Sequence, residues 1–309
     1  MKFQSAAVPG ILRVYSSVPR LTSFSLSPKF QESSSSAQTE YREALSISYS
    51  VEPFESHSRF HDGKTYRWIE ENTLKFEFPI APLVSLIARL RINEQSAEIA
   101  VNTAYHYLGR LSVGNIPSAG WLLRDVTSLL LSRNNYALVY AAGVDINGRA
   151  LVIVGLTNSG KSTLVRHLVS HHSAKVLGDD MIVIDREGRV YACPLVPTTA
   201  AINRLAENPS KLSDVIVLQP GAEMPIQPLD YEQMIKKVYA SNQTNLKFSA
   251  NSFLAAYSFF ADSDPIGFAI DKERNVISEA LGHASGLLVG GERSMQIEVV
   301  ERVLGGMNA

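Results

Sequence analysis

Gly155-Leu156-Thr157-Asn158-Ser159-Gly160-Lys161-Ser162-Thr163 meets the spacing G-x-x-x-x-G-K-[ST], whose residue types suit a bound polyphosphate. Two glycines permit backbone conformations that turn N–H groups into a concave anion site, and a helix starting at the loop adds the positive end of its dipole. Lys161 would then reach the β- and γ-phosphates and Ser162 would offer its hydroxyl to Mg²⁺, with Gly155, Asn158, Ser159, Gly160 and Thr163 completing the expected nucleotide-binding loop. The bland alternative is a structural glycine turn. A second constellation follows at Leu177-Gly178-Asp179-Asp180-Met181, where two adjacent carboxylates stand at the edge of an apolar strand. Neighbours on an extended strand point to opposite sides, so the pair reads as two separate groups rather than one proton-sharing dyad. One carboxylate would hold Mg²⁺ and the other would face an incoming hydroxyl as general base, the division of labour that phosphoryl transfer needs. Here the alternative is that Gly-Asp-Asp merely opens a hairpin.

These groups need particular elements to hold them. Ala150 to Val154 is a continuous apolar run of strand type, and Leu164 to Val169 is apolar at helical spacing, so the loop joins a buried strand to a helix start. Val139 to Val144, the turn Asn147-Gly148 and Ala150 to Val154 predict a hairpin leading into that loop. After the helix, Ala174 to Asp185 carries the aspartates into an apolar strand, Glu187-Gly188 turns, and Arg189 to Tyr191 returns. Beyond Pro194, Ile202 to Ala240 mixes short strands with Pro220-Gly221 and Pro225, and helices are expected over Tyr231 to Tyr239, Ser252 to Phe260 and Ser294 to Leu304.

Upstream, residues 1–44 are rich in serine and proline, with the tract Ser33 to Ser36, and read as a solvated, flexible lead-in. Leu45 to Val51 and Thr73 to Phe78 alternate like half-buried strands, with a turn at Asp62-Gly63. Leu83 to Arg91 is open between helix and strand, Ala97 to Val101 reads as a strand, and Trp121 to Leu131 as an amphipathic helix ending near Asn134-Asn135. The expected organisation is a lead-in over 1–44, a smaller β-rich region over 45–134 and a nucleotide-binding α/β domain over 135–309.

Composition limits the remaining classes. At 309 residues and 45% apolar content the chain is long enough for one large core or two, and its net charge of -1 supplies no electrostatic footprint for nucleic acid or an anionic membrane. The single cysteine, Cys193, leaves no internal disulfide and no multi-cysteine zinc site, which fits a reducing compartment; cytoplasm is the default expectation. No apolar run approaches the ~20 residues of a membrane span, and none of signal-peptide length opens the chain, so neither membrane insertion nor secretion is expected.

Taken together, Tyr140-Ala141-Ala142-Gly143-Val144, the Asn147-Gly148 turn, Leu151 to Ser162 and Leu177-Gly178-Asp179-Asp180 resemble the core of the HPr serine kinase/phosphorylase family and its relatives, over about residues 95 to 195. The resemblance implies the phosphoenolpyruvate-carboxykinase-like P-loop fold and ATP-dependent, Mg²⁺-dependent phosphorylation of a hydroxyl, often a serine, on a protein, peptide or small molecule. Carried over by position, Lys161 contacts phosphates, Ser162 and Asp180 serve Mg²⁺, and Asp179 is the base. Where the family has a histidine near the phosphates, this chain has Tyr140, whose phenol can donate a hydrogen bond but stays neutral near pH 7. The family's downstream arginine-bearing loop has no aligned counterpart, Arg204 and Arg274 being candidates by position only. A nucleotide-binding regulator or degenerate kinase without transfer activity is therefore the competing expectation. A transporter ATPase or GTPase is disfavoured by the lack of L-S-G-G-Q-like and N-K-x-D-like segments. The acceptor is unnamed by the sequence, and a homo-oligomer is compatible with it.

Other residues read more plainly. His57 and His61 stand four apart, but Pro53 and Asp62-Gly63 make their segment loop or strand rather than a metal-binding helix face. His171-His172 should sit at the exposed end of the loop's helix, where the dipole favours histidine. Cys193 reads as a buried apolar thiol, and Trp68 and Trp121 as core anchors.

Overall fold

The computed structural model describes residues 3–19, 31–32, 45–54, 66–69, 72–81, 84–108, 118–193, 205–220, 226–245, 252–261 and 264–307. Among these the chain is mixed α/β, with two mixed sheets and seven helices. It divides into two compact units, one of Met1–Asn134 with Lys247–Asp271 and one of Asn135–Leu246 with Lys272–Ala309. None of the helices described is long and apolar enough to cross a membrane.

The first unit holds an eight-stranded sheet built from β1 (Phe3–Val8), β2 (Leu12–Ser16), β3 (Gln31–Glu32), β4 (Leu45–Val51), β5 (Tyr66–Ile69), β6 (Thr73–Ala81), β7 (Val84–Ile92) and β8 (Ser96–Val101). Its order is β3-β1-β2-β4-β8-β7-β6-β5, parallel at β2/β4 and β4/β8 and antiparallel elsewhere. Alternation in β4 works as the pattern requires, with Leu45, Ile47 and Tyr49 buried and Ser46 and Ser48 half-buried. Pairing along β6 and β8 makes Val84–Ile92 a strand, which periodicity alone left open. Helices α1 (Thr103–Leu108), α2 (Ala119–Arg133) and α5 (Ser252–Phe260) complete this unit.

Several expectations change here. The flexible lead-in over 1–44 is not what its described residues form: Phe3–Val8 and Leu12–Ser16 pair as a hairpin around Gly10, which takes φ 76°. Averaged composition hid the alternation of Leu12, Val14 and Ser16, all buried, while Ser33 to Ser36 lie outside the described residues. Nor does the segment 247–271 belong with the rest of 135–309, as the expected division implied. Phe253 packs edge-on against Phe76 with centroids 5.6 Å apart, and Tyr257 Oη donates to the Asn72 carbonyl at 3.1 Å, both in the first unit. Helix α2 is buried along its whole length except Trp121 and Arg133, so it is not amphipathic in its surroundings. Trp121 is exposed rather than a core anchor, its ring covered by the Arg124 guanidinium at 3.6 Å.

The second unit carries the other sheet: β9 (Tyr136–Val139), β10 (Ala142–Ile146), β11 (Arg149–Val154), β12 (Lys175–Gly178), β13 (Ile182–Asp185), β14 (Arg189–Tyr191), β15 (Ser210–Leu218), β16 (Ile226–Leu229) and β17 (Ser285–Val289). Its order is β12-β10-β11-β15-β14-β13-β9, with β17 parallel to β15 and β16 antiparallel to β17. Strand β11 is buried on both faces. Leu151 and Ile153 join Leu164, Val165 and Leu168 of α3 (Lys161–His171) and Val299, Val300 and Leu304 of α7 (Arg293–Met307). Ala150, Val152 and Val154 face the other way, to Met234 and Val238 of α4 (Tyr231–Asn245) and Val276 and Ile277 of α6 (Pro265–Leu281). Burying one such Val, Leu or Ile contributes roughly 1.5 to 3 kcal/mol. That exceeds the ~1 kcal/mol span of strand propensities, so two-sided burial is what makes β11 a strand.

Two strands of this sheet are broken, and the breaks lie opposite each other. The chain passes from β9 to β10 across Tyr140-Ala141, and from β12 to β13 across Asp179-Asp180-Met181. Val139 pairs with Ile182 and Gly143 with Gly178, so the unpaired residues between these partners confront one another. Gly178 is required there: a Cβ at this position would stand 1.9 Å from the Met181 carbonyl oxygen.

Candidate functional site

The hairpin of β10 and β11 turns at Asn147-Gly148, both with positive φ (55° and 81°), and the Asp145 carboxylate accepts from the Gly148 N–H at 2.7 Å. Strand β11 then delivers the chain to Gly155, and α3 starts at Lys161. The helix N-cap is Gly160, at φ 110°, which has no side chain to cap the helix start; the Thr163 and Leu164 N–H groups both turn back to the Gly160 carbonyl at 3.0 Å, so an anion at the loop would meet the N–H groups of Lys161 and Ser162. Asn158 is also left-handed, at φ 66°. Gly155 lies tight in the loop, where a Cβ would come within 2.5 Å of Ser159 Oγ and 3.0 Å of the Leu218 carbonyl oxygen. Leu156, Thr157 and Asn158 at the tip are exposed, whereas Ser159 and Lys161 are buried.

Lys161 curls back over the loop, its Nζ donating to the carbonyl oxygens of Gly155 at 2.7 Å and Leu156 at 3.0 Å. Burial pushes its pKa down from the ordinary lysine value, and the nearby Asp180 and Asp179 oppose that shift. The Tyr140 ring lies 4.7 Å from this ammonium, and Tyr140 Oη is 3.4 Å from Thr157 Oγ1. Burial raises the phenol's pKa, with Asp180 and Asp179 adding to it, so Tyr140 is neutral near pH 7.

Asp179 and Asp180 stand in the bend between β12 and β13, not on an extended strand, so the expected alternation of adjacent side chains is not what separates them. Burial does: Asp179 is buried and Asp180 half-buried. Burial lifts the Asp179 carboxyl above the usual carboxylate range, the negative Asp180 adds to this, and a hydrogen bond from Ser162 with the positive Arg166 and Lys161 pulls it partly back. Its Oδ1 is buried with no hydrogen-bond partner, as is Ser159 Oγ. A buried polar atom without a partner costs roughly 1 to 3 kcal/mol, which a ligand supplying the missing contact recovers. The Ser162 hydroxyl and two carboxylates are hard oxygen donors of the kind Mg²⁺ takes, and a glycine-capped helix start with a lysine beside it suits a polyphosphate, so the residues fit both groups.

The second unit thus brings together Tyr140, Lys161, Ser162, Asp179 and Asp180, with the loop Gly155, Asn158, Ser159, Gly160 and Thr163. Arg274 is exposed with its guanidinium 5.7 Å from the Tyr239 ring centroid, and Arg204, His57, His61 and the Trp68 side chain lie outside the described residues. Cys193 is buried, as expected.

Sequence reasoning missed the support behind Tyr140. Asn242 of α4 is fully buried; its Oδ1 accepts from the Tyr140 N–H at 2.7 Å and its Nδ2 donates to the Leu138 carbonyl at 3.2 Å and to Glu273 Oε1. This amide satisfies backbone groups that the break between β9 and β10 leaves unpaired in the sheet. No protein-family model matches the chain, and no curated protein matches it.

Proposed function

We propose that the second unit binds ATP with Mg²⁺ and transfers the γ-phosphoryl group to a hydroxyl on a protein, peptide or small molecule, the activity that the resemblance to HPr serine kinase implies. What carries this reading is a buried aspartate with a free oxygen, Asp179, hydrogen-bonded by Ser162 at the foot of a glycine-rich loop and helix N-terminus. A loop for structure alone would not need a carboxylate kept there at the cost of burial.

In this reading the loop N–H groups and Lys161 hold the phosphates, Lys161 exchanging its contacts to Gly155 and Leu156 for phosphate oxygens. Ser162 and Asp180 would hold Mg²⁺, which when bound neutralises charge on the phosphoryl group in flight. Asp179 accepts the proton of the acceptor hydroxyl as its oxygen bonds to the γ-phosphorus and the bond from that phosphorus to the bridging oxygen breaks, leaving ADP. A base must be deprotonated to act, so the rate rises with pH through the Asp179 pKa, and this acid limb lies above the ordinary carboxylate range.

Asp179→Asn and Asp180→Asn should therefore differ in kind. The first retains Mg-ATP binding and lowers turnover by ~10²- to 10⁴-fold, while the second weakens the Mg²⁺ dependence of binding itself. A loss below about tenfold for Asp179→Asn, measured as phosphoryl release or transfer, would remove it as the base. A second reading, a nucleotide binder without transfer, is favoured by the neutral Tyr140 phenol packed on Lys161. It holds if the parent binds Mg-ATP but turns nothing over and Tyr140→His creates turnover.

A further inference from the structure

Away from the loop, at the other end of α3, three side chains from two helices converge. His167 Nε2 lies 2.6 Å from Glu301 Oε1, and His172 Nε2 lies 2.8 Å from both Glu301 Oε1 and Oε2. One donor atom from each residue falls within 4.8 Å of the others, and none of the three is fully exposed. Positions 167 and 172 would not share a face of a regular helix. They meet because His172 is the C-cap of α3, at φ -113° and ψ 10°, so its ring leaves the helical path. His171, four residues after His167, stacks on its ring at 4.2 Å, and its Nδ1 pairs with the His167 carbonyl oxygen at 3.0 Å, which holds the His171 ring against that of His167.

We propose that His167, His172 and Glu301 bind one divalent transition-metal ion of the Zn²⁺ class, clamping the C-terminal end of α3 to α7. Two imidazole nitrogens and a carboxylate suit Zn²⁺, Co²⁺ or Ni²⁺ and not the oxygen-preferring Mg²⁺ or Ca²⁺. Bonds of about 2.0 to 2.2 Å in a tetrahedron set donor atoms roughly 3.3 Å apart. Glu301 Oε1, at 2.6 and 2.8 Å from the two ring nitrogens, must therefore withdraw by about 0.5 to 0.7 Å, and the two nitrogens, which lie within 4.8 Å of each other, must come to about the same spacing, adjustments within reach of side chains that are partly exposed. Partial exposure leaves the fourth position to water. The site is independent of the nucleotide reading, since none of its residues belongs to the phosphate loop or the aspartate bend.

The test uses the full chain, stripped of metal and titrated with Zn²⁺ alone by calorimetry and with Co²⁺ alone by visible absorption. One equivalent of Zn²⁺ should bind, Co²⁺ should give the d–d bands of a nitrogen- and oxygen-ligated ion, and the melting temperature should rise with Zn²⁺. His172→Gln and Glu301→Gln, on different helices so that a folding failure in one leaves the other informative, should each weaken binding by about a hundredfold or more, because even changes behind the ligands cost ~10- to 100-fold. His283→Gln should change nothing. No Zn²⁺ binding by the parent overturns the proposal, and so does binding that survives undiminished in both ligand variants.

Discussion

Glu273 is the buried titratable side chain behind the candidate site, held by the Asn242 amide, and burial pushes its pKa from 4.5 up to about 8. Between those values the folded chain keeps a proton that the unfolded chain releases, so this group lowers stability as pH rises through the window, by on the order of 1.4 kcal/mol per pH unit within it. Glu273→Gln mimics the protonated acid and removes the dependence. Its melting temperature should match the parent near pH 5 and exceed it near pH 9; parallel curves for the two proteins would show that Glu273 is ionised in the fold. Gly155 to Thr163 are covalent neighbours, and their chemistry follows from spacing that can be counted. Asn242 meets Tyr140 across 102 positions, and an asparagine in the last turns of a helix carries no signal that it will accept a backbone N–H there.

At the level of elements, the site depends on a bend at Asp179-Asp180-Met181, where the sequence pattern places two carboxylates at the edge of an apolar strand. Gly178 allows the chain to fold back on the Met181 carbonyl, which turns Asp179 toward Ser162. Gly178→Ala would force the bend open. We expect a loss of about 1 to 3 kcal/mol in chemical denaturation together with weaker Mg-ATP binding, and a variant as stable as the parent would contradict the geometry. The hairpin before the loop was legible because Asn-Gly demands the positive φ values it adopts. Helix α6 was not anticipated, although its start carries a signature: Asp264 precedes Pro265, and its Oδ1 accepts from the Gly267 N–H at 3.0 Å. Helix α2 departs from its amphipathic reading because its polar Arg124 and Asp125 pair with each other in a buried setting.

Over the whole molecule, composition marked residues 1–44 as open chain, yet their first two strands enter the sheet of the first unit, because the five-residue alternation of β2 suffices for a strand where β1 and β4 pair with it. Likewise α5 returns to the first unit through Phe253 and Tyr257, long-range packing that local pattern does not encode. Every residue of the candidate site lies in the second unit. Nucleotide binding there is measured by thermal unfolding of the parent and of Lys161→Ala with and without Mg-ATP. At a hundred times the dissociation constant, binding should stabilise the parent by about 2.7 kcal/mol, and Lys161→Ala should lose most of that shift while remaining folded. A parent whose unfolding is unchanged at millimolar Mg-ATP would contradict the account.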